Sequence, residues 1–205
     1  MEQLSLYNEA RSESRVIASS GVFQIELLEH VGEKDHPALI AISEQLAIEY
    51  GEKAILTKAT IHRYFNKKGS LPFIARYRND IIGYIIGVPI EELSHEPWAR
   101  TDPNFGKYNT LYTYAFVMMS DFKGNGYAKM LKRVFISWGK KREGIHFITG
   151  HVEVGVSSKF SGEVKIASRV ENWQGTGKIF EYYCRDLHPD QSPYQSNNPP
   201  LATRI

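Results

Sequence analysis

The sequence predicts a mixed α/β fold, of the α+β kind, in which one mixed sheet is flanked by helices on both faces. Three observations support this prediction. Segments rich in β-branched and aromatic residues alternate with segments of helical apolar spacing. Two of the strand-like segments, 73–78 and 81–88, are separated only by Asn79 and Asp80, which predicts an antiparallel hairpin. The near-continuous apolar run 111–119 is typical of a central strand that is covered on both faces.

Composition excludes several classes of protein. The chain has 205 residues, with 25 Lys and Arg against 23 Asp and Glu and a net charge of +2. This balance argues against nucleic acid or an anionic membrane as a partner. The single cysteine, Cys184, cannot form an internal disulfide, and no histidine cluster accompanies it for a zinc site. Because the N-terminus also lacks the apolar stretch of a signal peptide, we expect a cytoplasmic protein that holds no metal.

Residue types divide the chain into three parts. We predict a polar N-terminal extension over residues 1–21, one domain over residues 22–187 and a proline-rich tail over residues 188–205. No repeat, Gly/Ser linker or abrupt charge shift splits the middle part. A chain of this length can bury a sizeable core as one domain.

The first half of the domain shows one strand and two helices before the hairpin. Residues 22–31 alternate loosely and predict the first strand. Asp35-His36-Pro37 is a plausible helix start, and the apolar stripe that follows ends at Gly51. Thr57 is placed to cap a shorter helix. The segment 91–110 after the hairpin has no periodicity, and a loop this long in a compact domain usually has a function.

The second half contains a glycine turn between the central strand and a helix. Lys123-Gly124-Asn125-Gly126 leads into an amphipathic helix from Tyr127, so unpaired N–H groups and the positive end of the helix dipole can meet an anion. Without a ligand, the two glycines would simply allow a sharp turn. Residues 147–152 and 179–185 predict two more strands, and 155–170 is ambiguous, with a short helix as one option.

Two common phosphate motifs do not fit. A dinucleotide fingerprint needs a third glycine where Lys129 stands. A P-loop around Gly177-Lys178 would need glycine at Asn172 and Ser or Thr at Ile179. A nucleotide-binding protein of another fold is therefore disfavoured.

The turn and its surroundings resemble a known family. Residues 123–128 are similar to the acetyl-CoA-binding motif of the GNAT superfamily of N-acetyltransferases, Arg/Gln-x-x-Gly-x-Gly/Ala. Gly126 and Ala128 match its last fixed positions, while Lys123 keeps the charge of the usual Arg but loses its planar fork. The order of elements over residues 22–187 also resembles this family. The resemblance implies a central mixed, mostly antiparallel sheet with helices on both faces.

The resemblance implies acetyl-CoA as the acetyl-donor cosubstrate. Its pantetheine arm would pair with the end of the central strand, its pyrophosphate would rest on the glycine turn, and a strand N–H could polarise the thioester carbonyl. The residues so assigned are Phe116, Val117, Met118, Lys123, Gly124, Asn125, Gly126, Tyr127 and Ala128.

The groups that move protons are less clear from the sequence. His151 and Glu153, at the end of the strand beside the central one, are candidates for the base that deprotonates the amine. Family members often carry a tyrosine acid after that strand, but residues 155–170 contain no tyrosine. Tyr182 and Tyr183 point to opposite faces of the last strand, so one of them, assigned as Tyr183, could enter the cleft as the acid. Packing or surface roles are the ordinary alternative for these residues.

The loop 91–110 lies where superfamily members often shape the acceptor site. Its acidic and aromatic side chains could bind a cationic amine, unless it is simply a solvated loop; they are Glu91, Glu92, Glu96, Asp102, Trp98 and Phe105. The function predicted is transfer of an acetyl group from acetyl-CoA to a primary amine of a small molecule or peptide. The alternative is a non-catalytic CoA-binding sensor or protein-interaction module on the same fold. A homodimer is compatible with the sequence.

Overall fold

A computed structural model describes residues 11–189 of the chain. Within them lie eight strands, four α-helices and several single turns of 3-10 helix. The strands are β1 (Glu13–Ser20), β2 (Phe23–His30), β3 (Leu71–Tyr77), β4 (Asp80–Pro89), β5 (Thr110–Met118), β6 (Phe147–Glu153), β7 (Lys165–Val170) and β8 (Phe180–Asp186). The helices are α1 (His36–Tyr50), α2 (Lys58–Tyr64), α3 (Pro97–Arg100) and α4 (Tyr127–Lys141).

The strands form one sheet in the order β1-β2-β3-β4-β5-β6-β8-β7. Neighbouring strands are antiparallel except β5 and β6, which run parallel. The parallel pair is joined by α4, as a crossover connection requires. The predicted mixed, mostly antiparallel sheet is confirmed.

Helices cover both faces of the sheet, as predicted. On one face, α1 and α2 pack over an apolar cluster that includes Leu39, Ile61 and Tyr84. On the other face, α4 packs over a cluster that includes Phe135 and Leu131. Because Gly87 of β4 has no side chain, the Phe135 ring of α4 can approach the strand backbone closely. A Cβ at position 87 would lie 2.8 Å from this ring.

The helix boundaries follow the sequence signals. Helix α1 ends at Gly51, whose φ of 87° suits glycine. The hydroxyl of Thr57 accepts the N–H of Thr60, and the hydroxyl of Thr60 accepts the N–H of Thr57 in return. This reciprocal capping box begins α2 where the sequence predicted it.

Three local features differ from the sequence predictions. The hairpin turn is centred on Arg78 and Asn79, with φ of 50° and 75°, one residue earlier than predicted, because Asp80 already pairs with Tyr77. The edge strands β1 and β7 were not predicted. Both are largely exposed, so neither shows the one-sided apolar alternation by which a strand is recognised. The possible helix in 155–170 is a single 3-10 turn, Ser157–Lys159.

Strand β1 lies within the segment that the sequence assigned to an extension, and the domain boundaries remain predictions. Residues 190–205, nearly all of the proline-rich tail, lie outside the described residues. Within residues 11–189, no helix has both the length and the apolar character needed to cross a bilayer.

Candidate active site

The parallel strands β5 and β6 part halfway along their length. They pair over three positions, from Thr110 with Phe147 to Tyr112 with Thr149. On the other side of β5 the register with β4 shifts between Ala115 and Thr113, so Tyr114 is the extra residue of a bulge. The gap and the bulge therefore lie at the same level of the sheet.

The far half of β5 presents unpaired backbone groups to this gap. The N–H of Met119 bonds to the carbonyl of Ile82 at 2.8 Å, which fixes the alternation of the β4–β5 ladder. Because successive residues of a strand direct their polar groups to opposite sides, those of Phe116 and Met118 point away from β4 and into the gap. An extended ligand can add to this edge as a strand would.

A cavity of about 500 Å³ occupies the gap and opens to both faces of the sheet. On the α4 face, Lys123, Ala128, Lys132, Phe160 and Tyr183 line it. On the opposite face its walls come from α1 and the turn after it, α2, the 90–100 segment, β5, β6 and the loop before β8; they include Glu49, Tyr50, Lys53, Tyr64, His95, Glu96, Trp98, Tyr114, His151 and Trp173. The two faces thus communicate through the sheet.

The glycine turn stands at the start of α4, next to the α4-face opening. Gly124 and Gly126 have φ of 86° and 79°, and a Cβ at either would meet no atom within 4 Å. The carbonyl of Gly126 accepts the first helical bond, from Met130, so the N–H groups of the first turn are directed to solvent. Tyr127 stacks on Phe23 with centroids 4.2 Å apart and is turned toward the core. The cradle therefore has room for an anion.

Five of the nine predicted cofactor residues line the cavity. They are Phe116, Val117, Met118, Lys123 and Ala128. The other four lie in the turn just beyond Lys123, so the strand edge and the turn form one continuous surface. Their assignment to the cofactor remains a prediction.

His151 lies in the cavity wall, but its ring is locked. It is 6% exposed and stacks between Trp173, at 3.8 Å, and Tyr182, at 4.7 Å. Its Nδ1 lies 3.0 Å from the hydroxyl of Tyr112. Burial lowers its pKa to about 3, so the ring is neutral at pH 7 and a weak base. This geometry gives little support to the predicted role of His151 as the base.

Glu153 is directed away from the reacting region. Its side chain is half-exposed and pairs with the Lys178 ammonium at 2.9 Å. It lies at the end of β6, beyond His151, and is not among the residues that line the cavity. The structure therefore does not bring the two predicted bases together.

Tyr183 is directed into the gap from β8, where the sequence analysis placed it. It is 4% exposed, and its hydroxyl shares a hydrogen bond of 3.2 Å with Thr113, at the level where β5 and β6 part. Gly150 of β6 makes room for this ring, since a Cβ there would lie 2.9 Å from the hydroxyl. Burial raises the pKa of Tyr183, so the hydroxyl keeps its proton.

The acidic residues of the 91–110 segment have separate roles. Glu91 accepts the backbone N–H groups of Gly106 and Tyr108, and Asp102 accepts the Tyr182 hydroxyl at 2.6 Å. Glu92 forms an ion pair with Lys67, and Phe105 packs against the core.

Two residues of the 91–110 segment, Glu96 and Trp98, do line the cavity. Glu49, at the end of α1, was not predicted and shows no sequence signal.

The amphipathic pattern of α4 places Lys132 on the polar side of the helix, but the structure partly buries its side chain. Its ammonium lies 3.1 Å from the centre of the Phe160 ring and lines the cavity. The Phe160 ring that covers it comes from a later segment, so the helical pattern of α4 alone does not predict this burial.

Across residues 11–189, no group of three or more His, Cys, Asp or Glu side chains could hold a metal ion.

The family model of the acetyltransferase (GNAT) family matches residues 39–158, more than half of the chain. The chain belongs to the GNAT acetyltransferase family. The matched segment includes most of α1, the hairpin, β5, the glycine turn and α4. No curated protein sequence matches this chain.

Solved structures of acetyltransferases share the fold. A putative acetyltransferase from Salmonella typhimurium, yncA, with its cofactor acetyl-CoA, is 14% identical, with a TM-score of 0.60 over 84% of this chain and 98% of that one. Spermidine N-acetyltransferase from Vibrio cholerae, in complex with CoA and spermine, is 11% identical, with a TM-score of 0.58 over 82% and 97%. The ribosomal-protein-S18-alanine N-acetyltransferase from Escherichia coli is 13% identical, with a TM-score of 0.57 over 80% and 94%.

Proposed function

We propose that this GNAT protein transfers an acetyl group from acetyl-CoA to a primary amine, which attacks the thioester directly. The observation that supports this most is the cavity that runs from the glycine turn, along the open edge of β5, and through the sheet to the opposite face. A site of this shape allows two substrates to enter from opposite faces and meet at the gap. Holding two reactants in line contributes much of the rate of such reactions.

The cofactor occupies the α4 face. The pyrophosphate binds to the N–H groups at Gly124 to Ala128, where the helix dipole and Lys123 favour negative charge. The pantetheine arm pairs with the free edge of β5, and the thioester reaches the level of Thr113 and the bulge. There the N–H of Phe116 can polarise the carbonyl, and the Tyr183 hydroxyl is within reach of the sulfur.

The acceptor approaches from the α1 face. The carboxylates of Glu49 and Glu96 stand at this opening beside the aromatic wall formed by Trp98, and one ammonium, that of Lys53, stands with them. A cationic amine suits this combination of carboxylates and rings. We assign to Glu96 the binding of the acceptor ammonium and the removal of its proton, because His151 is locked and Glu153 is directed elsewhere.

Calorimetric titration with CoA tests the cofactor site. Wild type is expected to bind CoA, and Gly126→Glu is expected to lose binding because the new carboxylate projects into the pyrophosphate space and repels it. Gly144→Glu is the matched control, since its φ of 76° and its open surroundings are like those of Gly126, but it lies past the far end of α4. Both variants carry the same backbone strain, so a difference between them reports the site.

The reaction itself is tested by release of free thiol from acetyl-CoA in the presence of amines. A panel of polyamines, amino acids and peptides covers the acceptor classes, and longer acyl-CoA donors test the preference for acetyl. Amine-dependent thiol release supports the enzyme. CoA binding without thiol release under any amine would instead favour a non-catalytic CoA-binding sensor, an alternative raised by the locked ring of His151. Failure of wild type to bind CoA at millimolar concentration would overturn both functions.

A further inference from the structure

Lys132 is an unusual cation because it lies inside the cofactor side of the cavity. It stands in the second turn of α4, and its ammonium lies 3.1 Å from the centre of the Phe160 ring and 5.9 Å from that of Phe116. Phe116 belongs to the open edge of β5, along which the pantetheine arm is proposed to bind. The ammonium is thus held beside the path of the cofactor by two aromatic rings.

The charge that acts on Lys132 is positive and comes from Arg185 of β8. The charged residues beside it on α4 (Lys129, Arg133) and beside Phe160 (Lys159, Glu163) are exposed, and the neutral Tyr183 lines the same cavity. Arg185 is 8% exposed, and its Nη2 has no hydrogen-bond partner. In the part of the chain that the structure describes, no carboxylate lies within ion-pair distance of Lys132. A partly buried cation without a counter-ion is costly unless an anion joins it.

The reaction forms such an anion nearby. The Phe160 ring, over which the Lys132 ammonium lies, packs edge-on against the Tyr183 ring with centroids 5.2 Å apart. The Tyr183 hydroxyl in turn bonds to Thr113, at the level where the thioester is proposed to lie. Placed at that level, the sulfur of the cofactor lies on the same wall of the cavity as Lys132. This placement rests on the proposed function.

We propose that Lys132 protonates the sulfur of CoA as the thioester breaks. The amine nitrogen forms the new bond to the carbonyl carbon, the C–S bond breaks with its electron pair going to sulfur, and the Lys132 ammonium gives a proton to that sulfur. CoA leaves as the thiol. The acceptor ammonium has already lost one proton to Glu96, and the attacking nitrogen loses a second as the adduct becomes the amide. One of these two protons returns through solvent to the neutral Lys132 amine and the other is released, so one ammonium and one thioester give one amide, one CoA thiol and one H⁺.

The acidity of Lys132 suits this step. Burial, with the charge of Arg185, lowers its pKa to about 8, close to that of an ordinary thiol at about 8.5. A proton donor is most effective when its pKa lies near the operating pH and near that of the acceptor. Tyr183 is a poorer donor, because burial raises its pKa, and its hydroxyl orients the sulfur by a hydrogen bond instead.

The first experiment titrates the thiol of enzyme-bound CoA by its ultraviolet thiolate absorbance, with desulfo-CoA as the blank. It needs no acceptor amine. In wild type the bound thiol is expected to ionise at least one pH unit below free CoA, and Lys132→Met should remove this shift. Lys132→Arg, which keeps the charge, should retain the shift. Lys140→Met, the same change on an exposed residue of the same helix, should behave as wild type.

The second experiment separates charge from proton donation, using the amine found by the panel. Lys132→Arg is expected to lower kcat at least tenfold although it stabilises the thiolate, because a guanidinium does not release its proton. In wild type kcat should fall above about pH 8 as Lys132 loses its proton, and this decline should be absent in Lys132→Met, with KM for acetyl-CoA little changed.

Two results would overturn the role of Lys132 while leaving the proposed function intact. One is a bound thiol that ionises at the same pH in wild type and Lys132→Met. The other is a Lys132→Arg enzyme with the kcat and pH profile of wild type. If wild type binds no CoA, it is the proposed function that fails.

Discussion

Gly150→Ala tests the geometry by which Tyr183 enters the gap. Gly150 lies on β6 opposite Tyr183 of β8, one residue beyond the point where β5 and β6 part. A Cβ at this position would lie 2.9 Å from the Tyr183 hydroxyl, 3.0 Å from Cε1 and 3.1 Å from Cζ. Contacts as short as 2.9 Å are essentially never made by real Cβ atoms, so the ring has to move.

The size of the effect follows from these distances. To restore an ordinary contact of 3.4 Å the hydroxyl has to retreat by about 0.5 Å, and it lies 3.2 Å from its partner Thr113 at the start. That movement strains or breaks the hydrogen bond in a buried site, where the loss costs about 1–3 kcal/mol. Overpacking of a tight interior adds a similar amount. We expect Gly150→Ala to lower the free energy of unfolding by about 2–4 kcal/mol.

Urea denaturation of a double-mutant cycle provides the assay. Tyr183→Leu removes all three clashing atoms, so in that background Gly150→Ala should cost little, which gives a coupling energy of at least about 1 kcal/mol. Circular dichroism of each variant checks that the fold is kept. If Gly150→Ala has the same cost in both backgrounds, the Tyr183 ring does not lie over Gly150 and its place in the proposed reaction is wrong.

Two further predictions concern stability. Thr57→Ala removes half of the capping box and should lower the free energy of unfolding by about 1 kcal/mol in urea denaturation, while an unchanged midpoint would contradict the cap. His151 has a folded pKa of about 3 against an ordinary 6.5, so below pH 6.5 the unfolded chain takes up a proton that the folded chain does not, and wild type loses stability as the pH falls. His151→Phe has no such proton to take up, so its free energy of unfolding does not fall in this way. The difference in free energy of unfolding between wild type and His151→Phe should therefore shrink by about 1–2 kcal/mol from pH 7 to pH 5. A difference that stays constant with pH would mean that His151 is not held neutral.

The elements on the α4 side of the candidate site could be predicted from the sequence because they are local. Strand β5, the glycine turn and α4 follow one another from Thr110 to Lys141, and each leaves its own signal: an apolar run, two glycines and an amphipathic period. The positive φ of Gly124 and Gly126 is a property of the turn itself. The order of these elements therefore sufficed to predict the fold and the position of the glycine turn between strand and helix.

The proton-transfer groups could not be predicted in the same way, because their states depend on contacts between distant segments. His151 looks like a base at the end of β6, but Trp173 and Tyr182, which enclose it, come from later segments and make it neutral. Lys132 looks exposed on its helix until Phe160 covers it. In both cases burial sets the pKa, and burial is a tertiary property.

The distribution of charge across the sheet connects the two halves of the proposed reaction. Lys123 and Lys132 line the cavity on the α4 face, and Glu49 and Glu96 line it on the α1 face. An anionic cofactor and a cationic amine are therefore each attracted to a different face. During transfer the attacking nitrogen gains positive charge beside the carboxylates while the sulfur gains negative charge beside Lys132. Each change of charge thus occurs next to groups of opposite sign, which is the arrangement by which preorganised charges lower the barrier.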